Sequence, residues 1–270
     1  YELDDNQEKI VTGFSHLGSV ERESLWHIGT ILNAPNAEAV QSIRKKRKEK
    51  GIDDPLPIML DVIHGYRTVY PVPVALSCSF DTSLIADCAE LAATEAKYDG
   101  IDVTFSPMVD LVRDARWGRV MESGGEDPYW GGEVGKATIR GYHKGGIACC
   151  VKHFAGYGAA EAGKEYNTTD ISDRNLREYY LRPYRECLKE NPEMFMSSFN
   201  LLNGKPILGH KDIMVDMLRK EWGFDGVVIS DYSSVEELYE HGYCATGEEC
   251  ACVSIESGLD IEMGSSVYAG

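Results

Sequence analysis

The sequence predicts an α/β fold, a TIM-like (β/α)8 barrel that is irregular or incomplete, with its active site at the strand C-termini. Three observations support this. Short apolar runs alternate with longer segments of helical period about seven times. No Pro/Gly/Ser-rich linker interrupts the alternation, so residues 1–270 are expected to form a single domain. The length of 270 residues is close to the roughly 250 that such a barrel takes. A doubly wound open sheet is the alternative. It would want a phosphate-binding glycine loop after an early strand, and neither G-x-G-x-x-G nor G-x-x-x-x-G-K-[ST] occurs.

The expected strands are Ile28–Leu32, Pro57–Val62, Val103–Met108, Ile147–Phe154, Met194–Phe199, Gly226–Ser230 and Leu259–Met263. Between them, Thr82 to Asp99 carries Leu84, Cys88, Leu91 and Ala92 near a helical period, with Asp81 or Thr82 as cap and Gly100 as stop. Asp173 to Glu190 places Leu176, Tyr180, Tyr184, Cys187 and Leu188 on one face, and His210 to Trp222 does the same with Ile213, Met214, Met217 and Leu218. Strands joined by such long connections pair in parallel with right-handed crossovers. Two polar, glycine-rich stretches, Val112 to Gly132 and Gly156 to Thr169, follow strands and belong on the catalytic face.

Composition excludes several classes of function. Lys+Arg total 27 against 44 Asp+Glu, a formal net charge of −17, which argues against nucleic acid as a partner. The one basic run, Arg44 to Lys48, reads as a solvated helix face or loop. No apolar window of roughly 18 residues is present, so no membrane span is expected. Eight irregularly spaced cysteines lean toward a reducing, cytoplasmic setting. Cys250 and Cys252 form a lone close pair with no nearby His, so neither a metal nor another cofactor is expected.

The polar residues at the strand C-terminal ends are Asp61 and His64, Asp110 with the segment 113–119, Lys152 and His153, Asn200, Asp231 and Glu262. Carboxylates, Lys, Arg and His converging on one point suit a polyhydroxylated ligand, because each sugar hydroxyl both donates and accepts. Asp231, straight after the buried run Val227-Val228-Ile229-Ser230, has two readings. It is a strand-end catalytic carboxylate, or it caps a helix starting near Ser233 or Ser234. Arg116 or Arg119 could likewise serve only to pair with Glu122, Glu126 or Asp127.

Five motifs occur in order: Asp61-Val-Ile-His64-Gly65-Tyr-Arg67, Arg113-Asp-Ala-Arg116-Trp117-Gly118-Arg119 with Gly125-Glu126-Asp127-Pro128, Val151-Lys152-His153-Phe154, Lys164-Glu165-Tyr166-Asn167-Thr168, and Ser230-Asp231-Tyr232. Together, over about residues 55 to 264, they resemble the N-terminal domain of glycoside hydrolase family 3, nearest its periplasmic-type bacterial β-glucosidases. The resemblance implies that Asp231 is the catalytic nucleophile. It implies that Asp61, Arg119, Lys152 and His153 bind the hydroxyls of the innermost sugar, and that Met196 and Phe199 line that subsite. Phe199 stands where many members carry Tyr, which removes a hydroxyl near the nucleophile. The expected substrate is a β-linked oligosaccharide or glycoside, cleaved from its non-reducing end with retention. The resemblance also points to the periplasm, against the cysteines.

A retaining glycosidase needs two carboxyl groups about 5–5.5 Å apart, and Asp231 supplies one. Bacterial hexosaminidases of the family take their acid from an Asp-x-His element in the loop after Lys-His-Phe. Here that loop, GYGAAEAGKEYNTTDIS, holds no histidine. The resemblance therefore implies a glutamate on a C-terminal α/β sandwich domain, expected to be absent from this chain and to leave it weakly active alone. Glu165 and Glu262 are the on-chain alternatives. Other readings are β-xylosidase specificity, a non-catalytic carbohydrate-binding barrel, and an aldolase using Lys152 as a Schiff base.

Overall fold

In the computed structural model, residues 28–34 and 36–269 are described. The part of the expected domain before residue 28 lies outside them. The elements in chain order are β1 (Ile31–Leu32), α1 (Ala37–Glu49), β2 (Ile58–Leu60), α2 (Pro73–Ser77), α3 (Thr82–Tyr98), β3 (Val103–Thr104), α4 (Pro128–Gly145) and β4 (Ala148–Phe154). They continue with α5 (Asp173–Asn175), α6 (Arg182–Cys187), β5 (Met194–Ser197), β6 (Leu201–Leu202), β7 (Lys205–Pro206), β8 (Val227–Ile229), α7 (Glu237–Glu240) and α8 (Gly247–Glu256).

Six strands pair in parallel in the order β1-β2-β3-β4-β5-β8, so each strand of this sheet lies beside its sequential neighbour. That order is the wall of a barrel, built here as an open half-barrel. The expected seventh strand, Leu259–Met263, is reduced to a single parallel bridge, Ile229 to Ile261, supported by the Ser230 N–H to Ile261 oxygen bond of 2.9 Å. β6 and β7 form a separate antiparallel hairpin.

Strand alternation divides the apolar residues into two layers. Met59, Val103, Phe105, Cys150, Met194, Met196, Ile229 and Met263 face inward and pack together, joined by Leu32 and Ile261 from the two ends of the wall. Their neighbours Ile58, Cys149, Val151, Phe195 and Val228 face outward against the helices.

Asp81 caps α3 as expected, accepting from the N–H groups of Ser83 and Leu84, and Gly100 follows its end at φ +87°. The buried face differs from the expected one. Leu84 and Leu91 are exposed, while Ile85, Ala86, Ala89, Ala92, Ala93 and Ala96 point inward. The reason is close helix packing. A β-carbon on Gly141 of α4 would stand 2.3 Å from the Ala86 carbonyl oxygen and 2.6 Å from the Ala89 β-carbon, and one on Gly145 would stand 2.3 Å from that of Ala93. Small residues therefore occupy the contact and the larger leucines turn outward. Gly141→Ala should lower stability by about 1–3 kcal/mol through overpacking, read by chemical denaturation. An unchanged midpoint and slope would mean that the two helices can separate freely.

The expected helix from Asp173 to Glu190 is broken. A π-turn runs from Leu176 to Tyr180, closed by a Leu181 N–H to Leu176 oxygen bond of 2.8 Å, and α6 restarts at Arg182 beside Pro183, which has no N–H to donate. Leu176, Tyr184 and Cys187 are buried as expected. The segment Asp212–Glu221 also winds as a π-helix and buries Ile213, Met214, Met217 and Leu218. The basic run lies on α1 but is not simply solvated. Arg44 pairs with Asp102 at 2.7 Å, and Arg47 is buried, reaching the Asp54 carbonyl oxygen at 3.2 Å. No helix among the described residues is long and apolar enough to cross a membrane.

Candidate active site

The C-terminal ends of the strands surround a cavity of about 440 Å³. Phe105, Met196 and Met263 form its floor, which is the upper surface of the barrel interior. Its charged wall comprises Asp61 after β2, Arg119 and Glu122 from the loop after β3, Lys152 and His153 near the end of β4, and Asp231 after β8. The structure thus brings together Asp61, Arg119, Lys152, His153, Met196 and Asp231. Phe199 is placed differently: it lies outside this lining, packed on Tyr157 and Tyr166 at ring-centroid distances of 5.7 and 4.6 Å.

Asp231 caps no helix. Its Oδ1 accepts the N–H of the adjacent Tyr232 at 2.7 Å, and α7 begins only at Glu237. Its Oδ2 has no hydrogen-bond partner among the described residues and lies 3.5 Å from His153 Nε2. Burial pushes the Asp231 carboxyl up to about 6, against the pull of the Tyr232 N–H and the Lys152 and Arg119 cations. The group is a desolvated carboxylate with one oxygen uncommitted.

The surrounding side chains are held firmly. Lys152, buried along its length, donates from Nζ to Asp61 Oδ1 at 2.7 Å. Arg119 is fixed by two bonds to Glu122, Nε to Oε1 at 2.8 Å and Nη2 to Oε2 at 3.1 Å. Burial works against ionisation of Glu122, but the Arg119 hydrogen bond and charge hold its carboxyl below the usual range. His153 is fully buried, and burial together with Arg119 and Lys152 keeps its imidazole far below its ordinary value, hence neutral at pH 7.

Asp110 decides which imidazole nitrogen carries the proton. Its Oδ2 accepts both the His153 N–H at 3.0 Å and His153 Nδ1 at 2.8 Å. A carboxylate only accepts, so Nδ1 holds the hydrogen and Nε2 presents a lone pair to the cavity. Asp110 is itself pushed up to about 6 by burial, an effect opposed by the Tyr184 hydrogen bond and the His153 N–H. The Tyr184 hydroxyl lies 2.7 Å from Asp110 Oδ1 and 2.6 Å from the His153 carbonyl oxygen.

Both on-chain alternatives for the acid are committed elsewhere. Glu165 accepts the Tyr157 hydroxyl, and Glu262 accepts from Ser265 Oγ and, at 2.8 Å each, from the N–H groups of Val267 and Tyr268. Neither lines the cavity. Sequence reasoning noted Asp110 at a strand end without a role and passed over Glu237. Burial, aided by the charge of Asp231, pushes the Glu237 carboxyl up to about 7, and its Oε2 has no partner among the described residues. The sequence signal for Asp110 was its position after Val103–Met108; Glu237, in a helix rich in acidic residues, offered none.

Comparison with known proteins agrees with this geometry. The model of the glycosyl hydrolase family 3 N-terminal domain matches residues 19–269. The periplasmic β-glucosidase of Salmonella typhimurium is 35% identical over 249 residues, which span 90% of this chain and 32% of that protein. A β-xylosidase of Formosa agariphila is 35% identical over 211 residues, spanning 74% of this chain and 29% of its own length. The β-glucosidase of Listeria innocua, solved with isofagomine, superposes with a TM-score of 0.90 at 44% identity, covering 92% of this chain and 36% of that one. The chain therefore spans about a third of the length of these relatives. With a half-barrel wall, a ring of charged strand ends and a match over nearly all its length, the chain belongs to glycosyl hydrolase family 3, in the part that forms the N-terminal domain.

Proposed function

We propose that this barrel carries the nucleophile and the innermost sugar subsite of a retaining, exo-acting β-glucoside hydrolase. The observation that carries the reading is Asp231: a buried carboxylate with its Oδ2 uncommitted, in the lining of a sugar-sized cavity ringed by Asp61, Arg119, Lys152 and His153. The Asp231 carboxylate attacks the anomeric carbon as the bond to the leaving oxygen breaks, forming a glycosyl-aspartate that water then hydrolyses. Lys152 Nζ and the Arg119 guanidinium donate to sugar hydroxyls, whereas Asp61 and the bare Nε2 of His153 accept from them. The apolar floor bears on a face of the ring. The proton for the leaving oxygen is supplied from outside the described barrel, by a glutamate of a further domain. This reading is supported by the engagement of Glu165 and Glu262 and by the greater length of the relatives.

Glucose is the favoured sugar because the Listeria innocua enzyme, at 44% identity, is a β-glucosidase solved also with laminaribiose. The β-xylosidase relatives favour a second reading with a pentose in the same subsite. Trapping tests the nucleophile without needing the acid. The 270-residue chain would be incubated with 2,4-dinitrophenyl 2-deoxy-2-fluoro-β-glucoside, whose leaving group departs with little protonation. A covalent adduct mapped to the peptide holding Asp231 is the expected result. An adduct on another carboxylate, or no adduct at saturating reagent, rejects the role given to Asp231. Faster labelling by the matching xyloside would replace glucose with xylose.

A further inference from the structure

A second cluster lies at the opposite end of the barrel, where the strands begin. His143 stands in the last turn of α4, Cys149 is the second residue of β4, and Glu193 immediately precedes β5. Because Cys150 is in register with Met194, Cys149 and Glu193 are neighbours on adjacent strands, and the end of α4 brings His143 over them. His143 Nε2 lies 3.3 Å from each Glu193 oxygen. Cys149 Sγ lies 3.9 Å from His143 Nε2 and 3.6 Å from Glu193 Oε2. Among the described residues, this is the group of three metal-ligating side chains whose donor atoms all lie within 4.8 Å of one another.

We propose that His143, Cys149 and Glu193 form a binding site for a zinc-type divalent transition-metal ion, separate from the sugar cavity. Tetrahedral bonds of about 2.3 Å to sulfur and about 2.0–2.2 Å to nitrogen and oxygen hold the donor atoms about 3.3–3.6 Å apart. The present separations of 3.3, 3.6 and 3.9 Å are therefore near those of the bound state, with Cys149 and His143 closing by a few tenths of an ångström at about this scale. One thiolate, one imidazole and one carboxylate suit zinc. Magnesium and calcium require oxygen donors, and the mixed soft set disfavours them. Thiolate and carboxylate together balance the two positive charges of the ion, and the thiol proton leaves to solvent.

Two further features shape the site. The Cys149 N–H donates to Glu193 Oε2 at 3.0 Å, which fixes the carboxylate while that oxygen keeps a second lone pair for the ion. Cys149 is fully buried, while the His143 and Glu193 side chains are 32% and 46% exposed, so the ion enters from solvent and keeps water as its fourth ligand. The bound ion would tie α4 to the starts of β4 and β5, raising the thermal stability of the barrel without touching the residues at its other end.

The test uses the 270-residue chain, stripped with a chelator and titrated with Zn²⁺ against a chromophoric competitor, and with Co²⁺ followed by absorption. One tight equivalent of zinc is expected, with a thiolate-to-cobalt charge-transfer band in the near ultraviolet. His143→Gln and Glu193→Gln alter exposed side chains and should fold normally. Each should weaken zinc binding by at least the roughly 10–100-fold that even outer partners of a metal site cost. Cys149→Ser should remove the charge-transfer band. Zinc affinity unchanged in both exposed variants, or a cobalt complex without the thiolate band, would overturn the proposal and place any bound ion elsewhere on the chain.

Discussion

Asp231→Asn should abolish turnover of an activated aryl β-glucoside while making the protein more stable at neutral pH. The loss of rate is expected to be on the order of 10⁴-fold or more, the scale on which removal of a covalent catalyst acts. The gain in stability follows from burial. In the unfolded chain the carboxyl ionises near its ordinary 3.8, whereas in the folded protein it ionises near 6. Between these values the folded state binds the extra proton, so stability falls as pH rises from about 4 to about 6 and stays lower above it. At about 1.36 kcal/mol for each pH unit, the cost of the ionised group reaches about 3 kcal/mol at pH 7. Asparagine does not ionise and keeps the acceptor for the Tyr232 N–H. The variant and the wild type should therefore have nearly equal stability at pH 4 and diverge in favour of the variant up to pH 7, measured by denaturant titration at each pH. Equal stability across that range would mean that the cavity solvates Asp231 well. Activity that survived the substitution would leave the barrel a binding module.

Asp110→Ala should be among the most damaging single substitutions in the barrel, although Asp110 does not line the cavity. It removes the acceptor for the backbone N–H and Nδ1–H of His153 and a partner of the Tyr184 hydroxyl, all of them buried. Two buried donors of His153 left without partners, at about 1–3 kcal/mol each, bring the expected loss to about 2–5 kcal/mol. Asp110→Asn should be far milder, at about 1.5 kcal/mol or less near pH 4 and smaller still at pH 7, where the amide escapes the burial cost of the ionised carboxylate. Its amide oxygen can accept both His153 donors, and its NH₂ can donate to the Tyr184 oxygen while that hydroxyl donates to the His153 carbonyl. Urea denaturation of the two variants separates these outcomes. Equal losses from Ala and Asn would show that the negative charge of Asp110, rather than its acceptor geometry, holds His153.

Much of this was legible in the residues alone because it depends on local periodicity. An inward-outward alternation of two assigns Met59, Cys150, Met194 and Ile229 to one layer, and each strand delivers its terminal polar residue to the same end. The positions of Asp61, Lys152, His153 and Asp231 at one end of the wall follow from that rule with no distance measured. The ordered motifs named the family from the same residues. Helix faces were less legible. A 3.6 period identifies a stripe but not which of two neighbouring stripes turns inward, and on α3 the close approach of Gly141 and Gly145 selected the alanines over Leu84 and Leu91.

What the tertiary structure alone decided depends on contacts between residues far apart in the chain. Curling the sheet brings Lys152 to Asp61 across 91 positions and His153 to Asp110 across 43, and these contacts set the charge and proton placement around Asp231. The same curvature moves Phe199 off the cavity wall and beneath Tyr166, turns Glu165 and Glu262 to holding loops, and gathers His143, Cys149 and Glu193 at the far end. Sequence by itself determined the fold class, the family and the strand-end carboxylate Asp231, because hydrophobic alternation and short motifs are properties of neighbouring residues. Burial, hydrogen-bond partners and ionisation were decided only in three dimensions, because the desolvation and the charges that shift a carboxyl or an imidazole come from residues that the curled wall brings near.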